Sequence, residues 1–187
     1  MILFYKNDYF SCENQLLCLF LQKNREMERN LLLELLEDGN KVSLYSPHFE
    51  NEEYSEFEKF LLAYKDIYPN DVRQLVYRLD IIKRDGAEDR HFRYEGTMRD
   101  RVMALPSHLE TTSLRLYLLN INAKILILGN GGLKTTSTYQ EDAHLNKCVQ
   151  TLQKIDIQLK QRERQKIITV SGTKLLGTLT FSIDDEP

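Results

Sequence analysis

Residues 113–129 read SLRLYLLNINAKILILG, and the period of their side chains decides the fold. Leu114, Leu116 and Leu118 recur at every second position, while Arg115, Tyr117, Leu119 and Ile121 occupy the alternate ones. An extended strand sends successive side chains to opposite faces, so this stretch is a strand with one apolar face and one mixed face. The KILILG segment that follows is almost continuously apolar, as a strand covered on both faces is. Asn120–Ala123 between them is placed to turn the chain, which makes the pair an antiparallel hairpin.

Working upstream, RVMALP (101–106) and HFRYEG (91–96) are shorter strand candidates separated by Gly96 and polar residues, so the expected product is an antiparallel meander. Before residue 91 the period becomes helical. Val72, Leu75, Val76, Leu79 and Ile82 form one stripe that ends near Asp85 and Gly86. Tyr54, Phe57, Leu61 and Tyr64 form another, with Phe60 beside it and Glu50, Glu52, Glu53, Glu56 and Glu58 on the outer face. Tyr68–Asp71 turns the chain between them, giving an αα-hairpin. Ser46 and Pro47 read as the start of the first helix, because Ser accepts from an orphan amide and Pro lacks a donor that is not needed there. KVSLYS (41–46) is a strand with Val42 and Leu44 opposed to Ser43 and Tyr45. Residues 14–37 are rich in Leu, Glu, Arg, Met and Gln, without Pro or Gly, and read as one amphipathic helix or two shorter ones, stopped by Gly39 and Asn40.

Working downstream, GNGG (129–132) reads as the end of the last meander strand. It matches neither GxxxxGK[ST] nor GxGxxG, and no βαβ crossover is expected around it. Thr138–Glu141 is a capping-box pattern. The helix beyond it carries Leu145, Cys148, Val149, Leu152, Ile155 and Leu159 on one face, with Lys147, Lys154, Lys160, Arg162 and Arg164 around the rest and towards the end. KIITVSGTKLLGTLTFSI (166–183) reads as one or two short strands around Ser171 and Gly172.

The composition, 42% hydrophobic and 28% charged, is that of a globular chain and excludes wholesale disorder. The apolar run Leu16–Leu21 is far below the roughly 20 residues of a membrane helix, and MILFYKNDYF lacks the features of a secretory leader. No membrane association and a cytoplasmic location are therefore expected. Cys12, Cys18 and Cys148 form neither a CxxC pair nor a disulfide framework, and His48, His91, His108 and His144 form no HExxH pair, so reduced thiols and no metal or other cofactor are expected. The net charge of −3 is unevenly spread: 11 Lys/Arg against 18 Asp/Glu in residues 1–89, and 13 against 7 in residues 90–166. That asymmetry suits an anionic partner for the second half, or charge pairing between the halves.

The cations that matter for such a partner are Arg90, Arg93, Arg99, Arg101, Arg115 and Lys134. Arg99 and Arg101, two apart, would share a face if both lay on a strand. Arginine offers a planar multi-donor fork to phosphate and lysine a mobile charge, so together they can hold an RNA backbone or stabilise charge at a cleaved phosphodiester. Tyr94, Tyr117 and Tyr139 lie in the same half and can stack on bases or move protons.

The succession KVSLYSPHFENEEYSEFEKFLLAY, DVRQLVYRLDII, RVMALP, SLRLYLL, KILILGNGGLKT resembles the RelE/HigB superfamily of toxins from toxin-antitoxin modules. The resemblance covers residues 41 to about 137. It implies an α+β fold with a RelE-like core: one strand, two helices and an antiparallel strand meander. Around it the expected organisation is a helical extension over 1–40, the core over 41–137, an amphipathic basic helix over 138–166 and a short strand or hairpin tail over 167–187. The resemblance further implies a metal-independent endoribonuclease that cleaves mRNA on the ribosome and is neutralised by a cognate antitoxin protein. Arg115 is similar to the family's central-strand arginine, Lys134 to the lysine after its last strand and Tyr139 in position to its terminal aromatic, which makes these three the catalytic candidates. Arg93, Arg99 and Arg101 are the RNA-binding candidates. The alternative is a non-catalytic protein of the same fold that binds nucleic acid or another protein.

Overall fold

A computed structural model describes residues 28–106 and 113–184. In chain order these form β1 (Glu28–Glu37), β2 (Ser43–Phe49), α1 (Glu56–Tyr64), α2 (Pro69–Asp85), a 3-10 turn (Asp89–His91), β3 (Arg93–Tyr94), β4 (Val102–Leu105), β5 (Leu114–Asn122), β6 (Ile125–Leu133), a second 3-10 turn (Tyr139–Glu141), α3 (Ala143–Arg164), β7 (Ile168–Ser171), β8 (Lys174–Gly177) and β9 (Thr180–Asp184). The fold is α+β. Its main sheet has seven strands in the order β3-β4-β5-β6-β2-β1-β9. All neighbours run antiparallel except β2 and β6, which pair in parallel through Ser43–Ile125, Leu44–Leu126 and Tyr45–Ile127.

Alternation along the strands builds two cores, one on each face of the sheet. Leu114, Leu116 and Leu118 of β5, with Leu126 and Leu128 of β6, meet Phe60 of α1 and Leu75, Leu79 and Ile82 of α2. On the other face Tyr117, Leu119, Ile125 and Ile127 meet the α3 stripe of Leu145, Cys148, Val149, Leu152, Ile155 and Leu159. The β7–β8 hairpin closes the same face, its Leu175 amide donating to the Tyr45 hydroxyl at 3.0 Å. Burying a leucine-sized side chain stabilises by about 1.5–3 kcal/mol, so these two layers are what hold the sheet between helices. No described helix is long and apolar enough to cross a membrane.

Several elements differ from the sequence expectation, each for an identifiable reason. Residues 28–37 form a strand, not the end of a helix; the part of that expected helix before residue 28 lies outside the described residues. Leu and Glu favour a helix locally, but β1 is paired on both sides, by β2 and by β9, and tertiary context overrides propensity. Leu31 and Leu33 alternate into the α3-side core as a strand requires. Ser46 and Pro47 lie within β2 and do not start a helix. The Leu33 amide opposite Pro47 donates to Leu179, and the β2–β6 pairing stops at Tyr45, so the proline's missing donor leaves no partner unmet. The Ser46 hydroxyl still serves α1, accepting from the Phe57 amide at 3.1 Å while donating to the Leu128 carbonyl at 2.9 Å. The true N-cap of α1 is Ser55, whose amide donates to Glu58 at 2.8 Å. GNGG does not end β6 but lies inside it. The expected capping box at Thr138 closes only the 3-10 turn, through a 3.0 Å bond from Thr138 to Glu141, and the N-cap of α3 is Asp142, which accepts from the Leu145 amide at 2.9 Å. The tail holds three strands: the β7–β8 hairpin and β9, which joins the main sheet.

α3 is fastened to the meander by charge as well as by packing. Asp156, only 1% exposed, accepts from Arg101 Nε at 2.5 Å and pairs with Lys160 Nζ at 2.6 Å, while Arg101 Nη1 reaches Glu163 at 3.1 Å. A buried carboxylate is tolerated only when its partners surround it, and removing one member of such a set leaves the others desolvated. Arg101 and Lys160 keep partial access to water, which reduces that cost. Asp156→Ala is therefore expected to lower stability by about 2 kcal/mol, read as a lower midpoint in urea unfolding; an unchanged midpoint would show that the ion network does not fasten α3.

Candidate functional site

The face of the sheet that carries α3 is left uncovered at the β3 end, and there the chain gathers cations and phenols. Arg93 of β3 is the register partner of Ala104, which is in turn the partner of Tyr117 in β5. The three therefore share one face, and the small Ala104 separates the two large side chains. Glu95 follows Arg93 at the spacing that returns a side chain to that face, and the two make a 2.8 Å ion pair. Arg115 precedes Tyr117 by the same spacing. Lys134 leaves the end of β6 with its amide held by the Ser113 carbonyl at 2.8 Å. Tyr139, in the turn before α3, meets Tyr117 edge-on with ring centroids 6.3 Å apart. These groups surround a hollow of about 240 Å³ lined by Arg93, Tyr94, Glu95, Tyr117, Lys134 and Tyr139, among others. Arg115 stands beside it.

The glycines of β6 bring α3 down onto this end of the sheet. A side chain at Gly129 would meet Leu152 at 2.9 Å, and one at Gly132 would meet Leu145 and the Tyr64 hydroxyl at 3.0 Å. His144 fills the remaining approach and lies 2.9 Å from the Gly131 carbonyl. Asp100 fixes the opposite wall: it accepts from the Thr97 amide at 2.8 Å and from Gln153 of α3 at 2.8 Å, so the 96–101 loop is tied to the helix. GNGG is thus a packing surface, neither a strand terminus nor a phosphate loop.

The electrostatics follow from burial and from one carboxylate. Burial first, then the neighbouring Arg93 charge, lowers the Arg115 pKa, yet guanidinium starts so high that it stays protonated. Its Nη1 donates to the Leu114 carbonyl at 3.0 Å. Burial first, then Glu95, raises the Tyr117 phenol far above its ordinary range, and the same two causes raise Tyr139. Both phenols are therefore hydrogen-bond donors at neutral pH and not bases. Arg93 and Lys134 line the hollow and Arg115 stands beside it, against the Glu95 carboxylate that Arg93 already pairs, so cationic side chains outnumber acidic ones there.

Of the residues singled out in the sequence, Arg93, Lys134 and Tyr139 line this hollow and Arg115 adjoins it. Arg99 and Arg101 are elsewhere. The strand begins only at Val102, so their spacing of two does not put them on one face. Arg99 is exposed on the loop, its carbonyl accepting from Lys160 at 2.7 Å, and Arg101 is engaged by Asp156 and Glu163. Glu95 was not singled out; its only signal was the alternation with Arg93 along HFRYEG. Tyr117, whose place inside the strongest strand suits core packing, is 2% exposed and packs in the α3-side core.

Other polar groups do not make a comparable site. A larger hollow of about 720 Å³ lies between the β1–β2 turn and α2, but there Lys83 bridges Glu37 and Asp80 and Asp38 binds Lys174, so the charges largely cancel. Among the described residues no group of three His, Cys, Asp or Glu side chains is placed to hold a metal ion. Cys12, Cys18 and His108 lie outside the described residues. Cys148 stands 3.8 Å from His144 Nε2, but that nitrogen is occupied by the Gly131 carbonyl. No family model, curated protein or solved structure matches this chain.

Burial pushes the Cys148 thiol up to about 12, so only about one molecule in 10,000 carries the reactive thiolate at pH 8. Peptide mapping after iodoacetamide treatment is expected to find Cys148 unmodified in the folded protein and modified once denaturant is added. Rapid labelling under native conditions would contradict this.

Proposed function

We propose that the Arg93–Lys134–Tyr139 hollow binds an RNA phosphodiester and that the chain is a metal-independent endoribonuclease of the RelE/HigB-like kind. The observation that carries the reading is the convergence of Arg93, Arg115 and Lys134 with two phenols held protonated around a hollow that one carboxylate enters. At about 240 Å³ the hollow is smaller than sites that enclose a whole drug-sized ligand, roughly 300–1,000 Å³. It suits one phosphate and its sugar, with the rest of a polymer outside. The order of β2, α1, α2 and the β3–β6 meander supports the family part of the reading.

In this mechanism the 2′-hydroxyl attacks the adjacent phosphorus, the bond to the 5′-oxygen breaks, and the products are a 2′,3′-cyclic phosphate and a 5′-hydroxyl. Glu95 accepts the proton of the attacking hydroxyl. Tyr139 protonates the leaving oxygen, a role for which a raised pKa leaves the phenol in the required form. Lys134, Arg93 and Arg115 stabilise the extra charge on the phosphoryl oxygens, the part of the barrier that positioned cations reduce most. A translating ribosome supplies the mRNA, and a cognate antitoxin protein covers the hollow.

Expression is expected to arrest growth, and purified protein added to a translating extract is expected to cut mRNA at discrete sites, mapped by primer extension. Arg115→Ala and Lys134→Ala are each expected to slow cleavage by about 100-fold, and Tyr139→Phe by a similar factor, with folding checked by circular dichroism. RNA that is bound but never cut would overturn the catalytic part of the proposal. Full cleavage by the Arg115 and Lys134 variants would remove both residues from it.

A further inference from the structure

Lys134 leaves the end of a strand that is paired on one side. β6 pairs with β2 only as far as Ile127, and from Leu128 onward β5 is its strand neighbour among the described residues. The Lys134 amide donates towards β5, to the Ser113 carbonyl at 2.8 Å. Backbone groups of successive strand residues point to opposite sides, so Leu133 and Gly131 turn theirs to the open edge, where side chains must satisfy them. The Gly131 carbonyl lies 2.9 Å from His144 Nε2 of α3, the Gly131 amide donates to Asn130 Oδ1 at 2.8 Å, and the Leu133 amide donates to the Tyr64 hydroxyl.

Tyr64 is the last residue of α1, which packs on the opposite face of the sheet from α3. Its hydroxyl nevertheless lies 3.0 Å from where a Cβ at Gly132 would stand, beside Leu145 and His144 of α3. Gly132 is the register partner of Arg115, whose face is the α3 face, so the phenol passes round the open edge of β6 and ends next to the other helix. Phe60 and Tyr68, with ring centroids 5.3 Å and 6.3 Å away, hold the ring on that path. Burial, the first cause, raises the Tyr64 pKa, so the hydroxyl keeps its proton at neutral pH.

From this geometry we infer that Tyr64 is a positioning residue for the anion site: by gripping Leu133 at the open edge of β6, it fixes the direction in which Lys134 enters the hollow. This rests on the proposed reading of the hollow as a phosphodiester site and adds to it a residue that does not touch the ligand. The Ser113 bond holds the strand end from the β5 side, and the Tyr64 bond holds it from the other. Gly131 and Gly132, just before, bring no side chains that could lock the backbone in their place. A cation contributes its full effect only when held within about 0.5 Å of its productive position.

A double-mutant cycle tests the coupling, with inorganic pyrophosphate as the probe and calorimetric titration as the readout. Lys134→Ala and Arg93→Ala are each expected to weaken binding. Tyr64→Phe, which removes the hydroxyl and keeps the ring, is expected to weaken it by about 5-fold, the size of one hydrogen bond. In the Lys134→Ala background the same substitution is expected to change nothing, whereas beside Arg93→Ala the same loss is expected to persist. A loss that recurs in the Lys134→Ala background would show that Tyr64 supports the fold at large, and would overturn the inference. So would wild-type affinity in Tyr64→Phe while Lys134→Ala is weakened, an outcome that leaves the phosphodiester reading standing. Wild-type affinity in both Lys134→Ala and Arg93→Ala would bring down that reading and the inference with it. Hydrogen exchange on the unaltered protein gives a check that needs no variant to fold: the Leu133 amide is expected to be protected, and exchange at the rate of an unbonded amide would overturn the inference.

Discussion

The parallel pairing of β2 with β6 joins two halves that would otherwise be separate sheets. On one side stands the β3–β6 meander; on the other, β2, β1 and β9. The joint begins where the Ser43 amide meets the Lys124 carbonyl at 3.0 Å and runs for three residue pairs. Because β6 is central, it is covered on both faces, which is why Ile125–Leu128 can be apolar at every position. The same joint places Ser46 against the Leu128 carbonyl and so brings the first turn of α1 onto the middle of the sheet. Without it, the helices on the two faces would have no common platform.

α3 then determines where the sheet is open. Its apolar stripe and the clamp from Asp156 and Glu163 to Arg101 hold it across the middle strands, and the β6 glycines let its first turns settle against the sheet. What it leaves open is the hollow at the β3 edge, beside Arg93 and Glu95. The basic excess of residues 90–166 consequently divides into two populations. Arg101 and Lys160 neutralise a buried acid and contribute to the fold, and Arg162 lies 5.0 Å over the Phe181 ring. Arg93 and Lys134 line the hollow and Arg115 adjoins it, where burial raises the phenols and strengthens any charge interaction by lowering the local dielectric. Internal pairing thus accounts for Arg101 and Lys160, and for Arg93 through Glu95, while an anionic partner for Lys134 and Arg115 belongs to the proposed function.

The elements whose neighbours are near in sequence could be read from it. The alternation of Leu114, Leu116 and Leu118 against Tyr117 and Leu119 has the two faces it promised, and every apolar residue of the α3 stripe is buried. β1 could not be read, because its Leu and Glu residues satisfy helix propensity and the partner that makes it a strand, β9, lies almost at the other end of the described chain. Asp156 was hidden within an otherwise ordinary helix, since nothing local marks an acid that is buried only because Arg101, 55 residues earlier, reaches it. At the hollow, Arg93, Lys134 and Tyr139 come together because each lies at or beyond the end of a strand on the same side of the sheet. Arg99 and Arg101 do not, because the strand expected to align them starts only at Val102, beyond both of them. Glu95 went unnoticed because a lone carboxylate acquires meaning only from the phenols and cations around it.

The central claim is that residues from β3, β5, the end of β6 and the turn before α3 form a single anion site. The most direct test is a pyrophosphate titration of uniformly ¹⁵N-labelled protein followed by amide chemical shifts. The predicted result is one saturable event in which the amides of Arg93–Gly96, Tyr117, Lys134 and Tyr139 move together. Saturable shifts confined to the larger hollow at Glu37–Lys41 and Arg84, or no saturable shifts at all, would contradict it.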